Sequence, residues 1–243
     1  MSDSPATPIA ISSDDQAQMP ASEKRKRWFE LCLVLWVACG APLLNSLYLL
    51  TNGPVAMPHI SNARWIIGAL QEISGLLLLG YVLSRRGLGF KDLGLRWSFR
   101  DAGMGILVAV LSIAAYIGGS IVIQFAHRWL YGSFAHGPTA KDFFAHPSLL
   151  AIPFFLLNPF FEELIVRAYF MTEISQLTGS SALAVILSVA LQFSYHLYYG
   201  WTAAAALACG FLVFALYYSR TRRALPIIVA HAVIDLYGLV RLL

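Results

Sequence analysis

Within the segment NPFFEELIVRAYF, Asn158 to Phe170, two adjacent carboxylates and an arginine interrupt runs of Phe, Leu, Ile and Val. Two further polar groupings follow: His196 in LQFSYHLYYG, and His231 with Asp235 in AHAVID. On an α-helix Glu163 and Arg167 stand four residues apart and share a face, whereas Glu162 is turned by about 100°. That spacing predicts a structural Glu163–Arg167 ion pair and leaves the Glu162 carboxylate free, aimed into the apolar surround, as a candidate general base. His231 and Asp235 also share a helix face. A carboxylate, two imidazoles and a further carboxyl group meeting in one pocket would activate a water and stabilise an oxyanion.

Each grouping also has a plainer role. The ion pair alone serves as an intramembrane staple, a lone histidine as a hydrogen-bonding core residue, and His231 with Asp235 as an interhelical latch. The combination favours chemistry. Four ionisable groups (Glu162, Glu163, Arg167 and Asp235) in an apolar setting would together cost roughly 10 kcal/mol, comparable with the stability of a whole domain. They cluster on three late segments, while the earlier apolar segments carry only Glu30 and Glu72 as acids. Glu72, in ALQEISG, is expected to make an interhelical hydrogen bond.

The elements that must position these residues follow from composition. Of 243 residues 58% are hydrophobic and only 12% charged, and mean hydropathy is +0.66. This predicts an all-α, polytopic integral membrane bundle of about seven transmembrane helices. The apolar stretches run near Trp28–Leu50, Trp65–Leu83, Gly103–Phe125, Pro147–Met171, Ala182–Tyr199, Thr202–Tyr218 and Leu225–Leu242. The fifth and sixth are separated only by GW, which predicts a tight helical hairpin. Residues 1–27 are expected to be a disordered cytoplasmic tail and 28–243 a helical membrane domain, with the first apolar stretch retained as a span rather than cleaved.

Basic residues cluster before the first stretch (Lys24–Arg27), between the second and third (Arg85, Arg86, Lys91, Arg96 and Arg100) and before the seventh (Arg220, Arg222 and Arg223). A cytoplasmic N-terminus, an external C-terminus and a cell-membrane location follow. The glutamates are then expected towards the cytoplasmic half, where substrate would enter from that side or from within the bilayer. The net charge of +4 lies in no basic stripe interleaved with aromatics, which excludes a nucleic-acid partner. Cys32, Cys39 and Cys209 lie in apolar segments without ligand-like spacing, so neither a disulfide framework nor a cysteine metal site is indicated. His127, His136 and His146 are expected to be solvated residues of an outer loop.

EELIVR (Glu162, Glu163 and Arg167), a histidine on a following span (His196) and HAVID (His231 and Asp235) together resemble the three-part signature of the CAAX-protease and bacteriocin-processing family of intramembrane proteases, which includes the CAAX prenyl endopeptidases. The resemblance implies a protease core over 147–243 acting on a membrane-associated protein or peptide within the lipid bilayer. It implies that Glu162 and His196 activate the attacking water, that Glu163 holds Arg167, and that His231 with Asp235 stabilises the oxyanion. A metal-free mechanism is the expectation; zinc through Glu162, His196 and His231 is the alternative. The chain departs from the family pattern twice. Gln192 stands four before His196 where Phe is usual, and Asp235 stands where Asn is frequent. An ionised Asp235 cannot donate to an oxyanion, so it is either protonated or orients His231. A non-catalytic scaffold of the same fold and a proton-coupled transporter are the rival readings; no inverted repeat supports the latter.

Overall fold

Where backbone amides have no water to bond, each apolar segment must satisfy its own N–H and C=O groups, and the helix does so. The structure, a computed structural model, describes residues 19–52, 62–135 and 149–242. Among these residues the regular structure is entirely helical, in the order α1 (Ala21–Asn52), α2 (Asn62–Ser84), a 3₁₀ turn (Phe90–Leu93) and α3 (Phe99–Tyr131). Then α4 (Ala151–Glu162) runs through a π-helical segment (Glu163–Tyr169) into α5 (Phe170–Thr178). The chain closes with α6 (Ser181–Tyr195), a 3₁₀ turn (Leu197–Tyr199), α7 (Trp201–Thr221) and α8 (Ala224–Leu242). Each apolar stretch of the sequence therefore falls largely on a helix where it is described. The helices α1, α2, α3 and α7 are long and apolar enough to cross a membrane, and α6 and α8 are shorter apolar helices.

Several boundaries differ from the sequence reading. Helix α1 starts at Ala21, so the last residues assigned to the tail are helical; Arg27 is buried there against Glu173 and Gln176. Residues 1–18 of that tail lie outside the described residues. Helix α3 runs to Tyr131, which makes His127 helical rather than part of a loop, with its Nδ1 2.8 Å from the carbonyl oxygen of Ser133. His136 and His146 lie outside the described residues. The fifth apolar stretch ends as a helix at Tyr195, because the backbone tightens into the 3₁₀ turn before Gly200.

Local chemistry sets the starts and stops. Ser98 and Ser180 cap α3 and α6, their hydroxyls accepting from the amides of Asp101 at 3.4 Å and Leu183 at 3.1 Å. Gly179 ends α5 at φ 76°, a left-handed conformation that costs glycine least.

The π segment is the centre of the bundle. All seven of its residues are buried, packed by α1, α2, α6, α7 and α8. Close packing of α2 on α4 depends on missing side chains: a Cβ at Gly75 would meet the Phe161 ring at 2.7 Å.

Candidate active site

Glu163 opens the π segment with Arg167 four residues on, and both are completely buried. The Arg167 Nε lies 3.6 Å from the Glu163 Oε2, an ion-pair contact too long for a hydrogen bond. The second Glu163 oxygen, Oε1, is 2.8 Å from the His231 Nδ1 on α8. The other ring nitrogen of His231, Nε2, faces the Asp235 Oδ1 at 3.6 Å. Asp235 in turn accepts from the Asn158 side-chain amide at 3.3 Å. A polar line therefore runs from Arg167 through Glu163, His231 and Asp235 to Asn158, crossing from the π segment to α8 and back to α4.

Glu162 closes α4 directly beside this line. Its Oε2 accepts from the Gln192 amide at 2.5 Å and from the Tyr195 hydroxyl at 3.0 Å, both on α6. His196 caps the C-terminus of α6, with its Nδ1 2.9 Å from the Gln192 carbonyl oxygen, and is walled by Tyr195, Tyr198, Tyr199 and Phe211. Glu162 and His231 both lie within electrostatic reach of its ring. The three polar groupings of the sequence thus converge. Glu162 and Glu163 take different partners, on α6 for the first and on α8 and the π segment for the second, yet one oxygen of each, with a nitrogen of His231, lie within 4.8 Å of one another. The helix is π-wound from Glu163 onward, and a fixed 100° turn per residue does not hold there.

Residues 144–237 match the family model described as type II CAAX prenyl endopeptidase Rce1-like. Over that stretch the chain is similar to the Rce1-like endopeptidases. The match covers all three polar groupings and excludes α1, α2 and α3. No curated protein and no solved structure matches the chain. The family so described is one of CAAX-type proteases, and the likeness is to that family over these residues.

The matched segment also presents a donor set of one nitrogen and two carboxylate oxygens, from His231, Glu162 and Glu163, that could hold a metal ion. His196 is not in that group, where Glu163 stands instead; its Nδ1 lies 2.9 Å from the main-chain carbonyl of Gln192. Sequence reasoning missed three residues of the site. Asn158 stands four before Glu162, and Tyr195 stands beside His196; both spacings were visible. Gln192 was legible only as a departure from the family pattern. Glu72 on α2 is 4% exposed and within electrostatic reach of Glu162, His231 and Asp235. Its Oε2 has no hydrogen-bond partner among the described residues.

Proposed function

We propose that this protein is an intramembrane endopeptidase that hydrolyses a peptide bond in a membrane-associated substrate, with Glu162 as the base. The observation that carries the reading is the meeting of Glu162, Glu163 and His231 in one buried cluster inside a domain matched to a protease family. Glu162 takes a proton from a water, whose oxygen then attacks the scissile carbonyl carbon. His196, within electrostatic reach of that carboxylate, assists through Nε2, the nitrogen left by its bond to the main chain. The tetrahedral oxyanion is met by His231, held between Glu163 and Asp235. Glu162 then returns its proton to the leaving amine, and the bond breaks. A divalent ion held by Glu162, Glu163 and His231 would supply Lewis acidity at the same place. The steps assigned to the side chains do not require it.

The family points to a substrate class, a peptide ending in a prenylated cysteine and three further residues. The test compares wild type, Glu162→Ala and His196→Ala, purified in detergent, on an internally quenched prenylated peptide of that form, with and without chelator. Cleavage by wild type, abolished in Glu162→Ala, reduced at least a hundredfold in His196→Ala and indifferent to chelator, is the expected result. Chelator sensitivity reversed by zinc would turn the carboxylates into metal ligands. Cleavage that persists in Glu162→Ala would overturn the reading.

A further inference from the structure

Helix α6 meets the centre of the bundle along one stripe, residues 188, 192 and 195, spaced four and three apart. The Ser188 hydroxyl donates to the Val166 carbonyl oxygen at 2.8 Å, which pins the register of α6 against the π segment. One turn on, Gln192 reaches Glu162; Tyr195 reaches the same carboxylate oxygen. Gln192 is fully buried, and its own amide oxygen has no hydrogen-bond partner among the described residues. A buried amide with an idle acceptor is expensive to keep. Its donor end is what the site uses.

Both donors fall on Oε2 of Glu162, and no described residue donates to Oε1. A carboxylate so gripped cannot rotate to exchange its oxygens, so one oxygen is anchored and the other is left without a donor among the described residues. The main chain of Gln192 also accepts from His196 Nδ1, leaving Nε2 as the free nitrogen of that ring. One residue therefore sets the orientation of two others, by its side chain for the carboxylate and by its carbonyl for the imidazole.

We propose that Gln192 is a positioning residue that, with Tyr195, locks the Glu162 carboxylate by Oε2 and makes Oε1 the atom that takes the proton from water. The assignment rests on Glu162 being the base. It gives a function to the place where this chain has glutamine instead of phenylalanine four residues before His196: a phenylalanine there has no donor, so the lock belongs to chains with this substitution.

The test uses the full chain in detergent with the quenched prenylated peptide, measuring kcat and KM separately for Gln192→Met, Tyr195→Phe, the double variant and Glu162→Gln. Methionine keeps the volume of glutamine and the main-chain carbonyl that holds His196, so the variant removes only the bond to Glu162. The expected result is a fall in kcat of about tenfold or more in Gln192→Met, with KM within about twofold and an unchanged melting midpoint. The double variant should lose less than the product of the single losses, since both donors act on one oxygen. Should Gln192→Met fail to fold, Tyr195→Phe removes one atom from the same oxygen and must by itself lower kcat at constant KM. Unchanged kcat in the folded variants, or a change confined to KM, would overturn the lock. Glu162→Gln separates the two ideas: if it is inactive while Gln192→Met keeps full rate, only the lock fails, and if it is active the base assignment itself fails.

Discussion

Burial of a guanidinium away from water costs several kcal/mol unless a carboxylate lies close by. Among the described residues Arg167 has only Glu163 within ion-pair distance, with the Phe211 ring 5.4 Å from its guanidinium carbon. Glu163 is thus a hub, shared by Arg167 and His231. Arg167→Met would leave a fully buried carboxylate facing His231 alone. We expect a destabilisation of about 3–5 kcal/mol, measured as a fall in the melting midpoint or in the yield of folded protein in detergent. Asp235 behaves differently, because its neighbours tolerate an amide. Its Oδ2 accepts from Asn158 and its Oδ1 lies 3.6 Å from His231, and an asparagine can turn its oxygen to Asn158 and its nitrogen to His231. Asp235→Asn should keep kcat/KM within about tenfold of wild type; a well-folded, inactive variant would remove Asp235 from oxyanion stabilisation. At this scale the sequence disclosed the ionisable members of the site, because charge in an apolar run is conspicuous. The positions of Asn158, Gln192 and Tyr195 were visible but their roles were not, since neutral polar side chains are ordinary in membrane helices and only their partners reveal them.

Among the elements, the continuous helix from Ala151 to Thr178 decides what meets what. The apolar runs placed the helices well, because hydropathy and length are what the bilayer selects. The π winding of Glu163–Tyr169 was not legible: the segment is buried all round, so no amphipathic period exists whose slip would betray it. Nor was the early end of α6. At fifteen residues it is about 22 Å long, short of the roughly 30 Å hydrocarbon core. His196 at its C-terminus is therefore held at depth beside the glutamates. The seating of α2 against α4 was invisible for a different reason, since a glycine contact appears only when the partner is known. A side chain at Gly75 would meet Phe161 at 2.7 Å and Ile165 at 3.4 Å, and Phe161 directly precedes Glu162. Gly75→Val should cost about 1–3 kcal/mol and lower kcat by shifting α4. Gly103→Val, where a Cβ meets nothing within 4 Å, is the control on a helix of the same bundle. Equal kcat in both variants would show that the α2–α4 seating does not support the site.

At the scale of the whole molecule, one end of the bundle is tied by ions and the other is not drawn to any comparable network among the described residues. Arg27 on α1 donates to Glu173 on α5 at 2.9 Å; Arg86, following α2, donates to the same carboxylate at 2.9 Å and also bonds Glu30 of α1. Three segments are thereby fastened around Glu173, 4% exposed. Lys24, Arg25, Lys26, Arg85, Lys91, Arg96, Arg220 and Arg223 lie near the start of α1, near the end of α7 and in the turns after α2 and α7, and such an excess is what the cytoplasmic side of a membrane protein ordinarily carries. We infer that this is the cytoplasmic end. Glu162 lies eleven residues before Glu173 on the same continuous helix, which carries the site inward from that end. Helix α3 offers the direct test: its 33 residues extend about 50 Å, more than the bilayer core, so its two ends emerge on opposite sides. Trp97, just before it, is 77% exposed, and Trp129, near its far end, is 84% exposed. With Cys32, Cys39 and Cys209 replaced, a single cysteine introduced as Trp129→Cys should react with an impermeant maleimide added outside intact cells. A cysteine introduced as Trp97→Cys should react only after the membrane is opened. The reverse pattern would invert the bundle and send substrate to the site from the opposite face.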